Sequence, residues 1–292
     1  MSRPIVVAVD GSETSLRAAE WAAAEAARRG APLRIVSAPG LLPRMRSYQA
    51  PSTVANALRG IAARALAEAV DRVSEVTAGL LVETALLDGP PAAVVSDSGA
   101  GARLLVVGSR GAGGFSALVL GSVSRYVATH APCPVVVVHE ETGAVHREIV
   151  VGVRDPDNAD AALGFAFEEA ALRRANLTAV HAITWPATGP VSSAPAADSA
   201  SLAAAAAAAQ AAAERHLAEV LREWQQKYPE VTTAEDVVRC HPAQMLASLS
   251  ARADLVVIGR HGTPGAPDGS SIQHAVLGHA RGPVAIVPAL SA

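Results

Sequence analysis

The densest grouping of residues that could do chemistry lies at 104–138, LLVVGSRGAGGFSALVLGSVSRYVATHAPCPVVVV. Gly108, Gly111, Gly113 and Gly114 make a loop rich in backbone N–H groups, and nine residues separate Gly111 from Gly121 and Ser122. Glycines let a chain approach a phosphate without Cβ clashes, and a helix opening just beyond adds the positive end of its dipole. Ser122 can donate a hydroxyl hydrogen, while Arg110 is either a counter-charge or a cation facing solvent. A second grouping, Asp10-Gly11-Ser12, closes an apolar run near the N-terminus. A carboxylate there can accept from a ribose hydroxyl or an adenine amine. The chemistry suggested is the holding of an anionic nucleotide. Nothing supplies a P-loop, because no G-K-[ST] occurs and the only lysine, Lys227, lies in the other half of the chain.

These residues need elements to position them. Leu104–Val107 and Val135–Val138 read as buried strands, with a helix over Val123–His130 stopped by Pro132-Cys133-Pro134. Upstream, Ile5–Asp10 reads as a central strand, and Ser12 or Thr14 caps a helix that Gly30 ends. A strand at Leu33–Ala38, a loop at Pro39–Pro51, a helix at Ser52–Ala78, a strand at Leu80–Leu87 and a short helix at Ala92–Gly99 follow. This alternation predicts a doubly wound parallel sheet. Ligands of such sheets sit at the carboxyl ends of the strands, at the switch point. Asp10-Gly11-Ser12, Ser37-Ala38 and the loop from Gly108 should therefore converge, with backbone near Ala38 reading an adenine edge.

The order then begins again. Residues 147–182 echo 4–38, ARADLVVIGRHG (251–262) echoes GARLLVVGSRG (101–111), and HARGPVAIVP (279–288) echoes HAPCPVVVVH (130–139). Two similar domains follow, 1–143 and 144–292, joined around Glu140–Arg147. The second copy has lost the binding pattern. Arg154-Asp155-Pro156 stands where Asp10-Gly11-Ser12 stood, and six residues separate Gly262 from Gly269. Ser270-Ser271 then takes the Gly-Ser position, and Pro264 and Pro267 remove loop donors. The second half is expected to bind ATP weakly or not at all, as a structural partner or as the holder of a different anion. The low-complexity stretch Pro186–Ala213 reads as a loop up to Ser201 followed by an alanine-rich helix.

Bulk properties exclude several functions. A formal charge of -3 without a basic cluster argues against nucleic acid. No apolar run approaches the ~18 residues needed to span a bilayer, and the chain enters its first strand without a leader, so a soluble, cytoplasmic protein is expected. Cys133 and Cys240 lack metal or redox spacing, and Cys133 reads as a packed side chain. His181, His261, His274 and His279 fall on different elements without ligand spacing, so no metal is expected.

The glycine and serine spacing, together with VAVDGS at the first strand and the HAPCPVVVV ending, resembles the nucleotide motif of ATP-binding universal stress proteins, twice along the chain. The resemblance implies two tandem flavodoxin-like or Rossmann-like domains, each with a five-stranded, mainly parallel sheet. It implies ATP as ligand, Mg²⁺ being an admissible companion, and a stress-response regulator that commonly forms a homodimer and answers to a regulatory protein partner yet to be identified. On the matching positions Asp10 and Ala38 would face adenosine. Gly108, Gly111, Gly121 and Ser122 would hold phosphates, with Val123 and Ser124 beside them.

Each feature also has a plainer explanation: a helix cap at Asp10, a loop of glycines, an N-cap at Gly121. Their coincidence at three strand ends favours the site. The reading is a non-catalytic ATP-binding protein. The alternatives are a slow ATPase or nucleotidyl-transfer enzyme, whose serine-rich loop VDGSETS faintly resembles but without the doubled glycine, and a nucleotide-free interaction module.

Overall fold

A computed structural model describes residues 2–40, 52–111, 120–140, 145–155, 159–183, 196–260 and 270–289. The first half runs β1 (Ile5–Ala8), α1 (Glu13–Arg29), β2 (Leu33–Ser37), α2 (Ser52–Val76), β3 (Val82–Leu86), α3 (Pro91–Asp97), β4 (Leu104–Gly108), α4 (Ser122–His130) and β5 (Val135–Val138). The second runs β6 (Glu148–Gly152), α5 (Asp160–Arg173), β7 (Asn176–Ala182), α6 (Ala196–Lys227), β8 (Thr233–Val238), α7 (Pro242–Leu249), β9 (Leu255–Arg260), α8 (Ser270–His279) and β10 (Val284–Pro288). Helix α6 begins at Ala196, inside the stretch up to Ser201 expected as loop, because the alanines' helix propensity carries upstream through Ser199 and Ser201. The rest of that expected loop, 186–195, lies outside the described residues.

Within each half all strand pairs are parallel, in the order β3-β2-β1-β4-β5 and its repeat β8-β7-β6-β9-β10. The chain reverses direction across the sheet between β1 and β4, and again between β6 and β9, which are the switch points. The halves merge into one ten-stranded sheet because β5 and β10 pair antiparallel, Val137 with Val284 and Val135 with Ile286. The valine-rich last strands therefore satisfy each other's ladder groups within the chain.

Alternation along β1 explains the layering. Ile5 and Val7 face a core shared with α1, α2, α5 and α6, while Val6 faces one shared with α3, α4, α7 and α8. With few aromatics, close approach is achieved with alanine: Ala18, Ala19, Ala22, Ala23 and Ala26 put one side of α1 flat on the strands, fully buried. The second half adds an aromatic group, Phe167 stacked at 6.0 Å from Trp224 and 5.7 Å from Tyr228.

Repeat positions end their helices alike. Gly30 (φ 58°) and Arg174 (φ 51°) both close a helix in the left-handed conformation. In each, the next residue's N–H reaches back to a carbonyl at 2.9 Å, Ala31 to Ala26 and Ala175 to Ala170. Glycine adopts this without cost, whereas arginine is strained.

Across the seam, α1 and α5 meet through a buried ring of charge. Glu25 and Arg29 occupy the same repeat positions as Glu169 and Arg173. Arg29 bonds Glu25 at 2.5 Å and also Glu169; Arg173 bonds Glu25 at 2.7 Å and also Glu169. Both glutamate side chains are 0% exposed and the arginines 5% and 6%. Burial opposes the ionised form of Glu25, but Arg173 and Arg29 outweigh it and hold the carboxyl below its ordinary range. On the opposite face of the sheet Arg260 donates to Ala131 O at 2.7 Å, and His139 Nε2 lies 2.9 Å from Leu277 O. Among the described residues no helix is long and apolar enough to cross a membrane.

Candidate functional site

The first crevice is built where β1 and β4 end side by side. Ser12 caps α1: its hydroxyl accepts from the Ser15 N–H at 3.3 Å, so Ser12 and not Thr14 is the cap. Asp10 stands before it, exposed, and its Oδ1 accepts from the Ser12 N–H at 3.0 Å and from the Ser12 hydroxyl at 2.6 Å. Between them Gly11 takes φ 82°, a turn a side chain would strain. The loop leaving β4 is tied to this turn. Arg110 O accepts from Thr14 Oγ1 at 2.6 Å and from Ser12 Oγ at 3.4 Å. A Cβ on Gly111 would collide with Asp10 Oδ2, so Gly111 and the carboxylate face each other directly.

The other expected residues divide. Gly108 is required by packing: a Cβ would lie 2.8 Å from the Thr14 backbone, so its absence lets α1 lie against β4. Gly121 is the N-cap of α4 and provides no side-chain cap, and its own N–H donates to Ser109 O at 2.8 Å. Ser122 is exposed at the first turn, beside the half-buried Val123. Ser124 turns inward and donates to Gly108 O at 2.6 Å, fixing the end of β4 to α4. Arg110, expected as a counter-charge or a solvent-facing cation, pairs with Glu140. Ala38 continues β2, where the Ser37 hydroxyl bonds Val9 O at 2.7 Å and fastens the second strand end to the first. Gly113 and Gly114 lie outside the described residues.

The three strand ends, the exposed carboxylate and the helix N-terminus thus share one rim. Lys227 is elsewhere, with its ammonium 4.9 Å from the Trp224 ring centre and 5.6 Å from that of Tyr228. Cys133 is buried, and burial pushes its thiol up to about 11, which makes it unreactive. Of the four histidines expected on different elements, His274 and His279 in fact share α8, His181 Nδ1 lies 2.8 Å from Val153 O, and His261 lies outside the described residues.

The second crevice keeps the frame and changes the contents. Arg154 occupies the repeat position of Asp10, Gln273 that of Ser124, and Leu246 that of Val95. Gln273 Nε2 donates to Gly259 O at 3.1 Å, the same tie that Ser124 makes to Gly108. Between the strand ends, α7 and α8 a cavity of about 190 Å³ opens, with Val153, Val180, Leu246, Ile258 and Ile272 in its walls and Arg154 also lining it. Neither that cavity nor the charge ring at the seam follows from the sequence reading. The ring did leave a signal: a glutamate and an arginine four apart, on the apolar stripe of an alanine-rich helix, recurring in both copies.

The sequence matches the universal stress protein family over residues 1–139 and again over 146–288. A universal stress protein of Mycobacterium tuberculosis is 34% identical over 301 residues, covering 98% of this chain and 99% of the relative. One from Mycolicibacterium smegmatis is 32% identical over 270 residues, covering 89% and 88%. The crystal structure of a universal stress protein from Archaeoglobus fulgidus superposes with a TM-score of 0.71 at 18% identity, covering 98% of this chain and 96% of the other. With both halves matched and the whole fold reproduced, the chain belongs to the universal stress protein family, as a tandem whose two domains are joined through their last strands.

Proposed function

We propose that this universal stress protein is a non-catalytic regulator that holds ATP in the crevice of its first domain. The observation that carries the reading is the juxtaposition of Gly111 with Asp10, at the ends of adjacent strands and beside the N-terminus of α4. Adenosine would lie toward Asp10 and Ala38, with Asp10 accepting from a hydroxyl. The phosphates would lie toward Gly111, Gly121 and Ser122, where backbone donors, a hydroxyl and the helix dipole favour negative charge. At Gly121 a Cβ would meet nothing nearer than 3.5 Å, so the rim beside the N-terminus of α4 has room for such a group. We assign no protein ligand to Mg²⁺.

Two positioned groups support the non-catalytic reading. Arg110 is paired with Glu140 and Lys227 sits on aromatic rings in the other half, so neither supports phosphoryl transfer at this rim. A homodimer, if whole chains form one, must use a surface other than the β5–β10 seam, whose edges are already paired.

The test is to denature purified protein, assay released adenine nucleotide, then add ATP and follow ADP. Bound ATP without turnover is expected. Rapid turnover would make the protein an enzyme, and no binding at any concentration would make it an interaction module.

A further inference from the structure

The second crevice has its own selectivity, which its walls describe. Val180 and Ile258 line it on the sheet side and Leu246 and Ile272 on two helices, all four packed on that face of the sheet, while the Val153 side chain belongs to the opposite core. Leu246 lies over the end of β6 because Gly152 has no side chain; a Cβ there would come within 2.9 Å of Leu246 Cδ1. In the first half the same two positions are Ala8 and Val95, so an enlarged side chain on α7 is matched by a reduced one on the strand. The result is a shaped, partly open recess of about 190 Å³ with a mostly apolar surface. A dry apolar cavity of ~150 Å³ accommodates benzene, so this one has room for a single ring or a branched chain with a small headgroup.

The polar groups select the headgroup. Where the first crevice presents a carboxylate acceptor, the second has the exposed Arg154 in its lining. A ligand hydroxyl or amine that Asp10 would accept from meets a cation at that position in place of a carboxylate. Gln273, 5% exposed, uses its amide N–H on Gly259 O and so belongs to the wall. A carboxylate suits a guanidinium best, through two parallel charge-assisted hydrogen bonds.

We propose that the second crevice is a separate binding site for a compact apolar carboxylate, its body among Ile258, Ile272, Leu246 and Val180 and its carboxylate on Arg154. The chain then reads two chemically unrelated ligands, one per domain, through one shared sheet.

Benzoate, its neutral counterpart benzyl alcohol, and ATP are the probes, with the full chain labelled at isoleucine δ1 methyl groups. Benzoate should shift the resonances of Ile258 and Ile272 and leave Ile5 and Ile35 in place. Arg154→Gln should weaken benzoate about tenfold or more, as loss of a charge-assisted pair implies. The same variant should leave benzyl alcohol unchanged, and Arg154→Lys should restore part of the loss. Asp10→Ala, expected to abolish ATP binding, should leave the benzoate shifts intact, so this site and the nucleotide site can fail separately. The proposal is overturned if benzoate moves neither methyl up to its solubility limit. It is equally overturned if Arg154→Gln binds benzoate as well as the parent, or if ATP shifts Ile258 and Ile272 at the concentrations that fill the first domain.

Discussion

The two crevices share their frame and differ in what the frame presents. Gly108 and Gly259 end the fourth strand of each half, and each accepts a side-chain hydrogen bond from the helix that follows, from Ser124 or from Gln273. Beyond that tie the copies part, as Asp10 against Gly111 in one half becomes Arg154 over an apolar recess in the other. A duplicated domain can therefore keep its folding instructions in strands, caps and seam while its rim residues change ligand class. Substitutions in the frame should act alike in both halves, and substitutions at the rim should not.

The largest effect is expected at the charge ring. Glu25→Ala and Glu169→Ala should each cost about 3–5 kcal/mol of unfolding free energy, since each leaves buried arginine charge uncompensated. Denaturant unfolding measures both, and a large inequality would break the equivalence of the halves. The carboxyl of Glu25 is held below its ordinary value in the folded protein, so its stabilisation is present above the unfolded pKa, ~4.3, and is lost as pH falls through the folded one.

Next come the rim substitutions. Asp10→Ala should abolish ATP binding and Gly121→Ala should weaken it by about tenfold or more, both with little change in Tm. The Gly121 case is informative because a Cβ there meets nothing closer than 3.5 Å, so any loss reports on the ligand. Arg154→Ala and Ser270→Ala should leave ATP binding unchanged. Calorimetric titration reads all four, and matched losses in the two halves would contradict the division of roles.

Smaller is the helix-end pair. Arg174→Gly should stabilise by about 1 kcal/mol by relieving the left-handed arginine, and Gly30→Arg should destabilise by a similar amount. Smallest is the seam histidine, which has no titrating counterpart because Pro288 holds its repeat position. Burial lowers the pKa of His139. The unfolded chain then binds the proton more readily, and stability falls as pH drops below ~6.5. Melting curves should move down by about 2–4 °C on acidification, less so in His139→Gln.

Much of this was legible in the residues. Apolar runs at Ile5, Leu104 and Val135, the Ser12 cap, the Gly30 stop and the repeat itself are local signals that read without tertiary information. The seam was half legible: the valine edges asked for a partner, but which partner depends on topology. The roles of single rim residues were less so. Gly108 serves the packing of α1, and Arg110 is drawn to Glu140, which stands thirty residues on at the end of the next strand. The ring of Glu25, Arg29, Glu169 and Arg173 left a repeated Glu–Arg pair on each helix, but that the two pairs meet, and that a recess opens beside Leu246, depends on separate elements coming together.

The central claim is that one crevice in two holds the nucleotide. Titration of the full chain with ATP, counting sites per polypeptide, tests it directly. The account predicts one ATP per chain, and none after Asp10→Ala. Two equivalent sites per chain, or one that survives Asp10→Ala and disappears with Arg154→Ala, would contradict it.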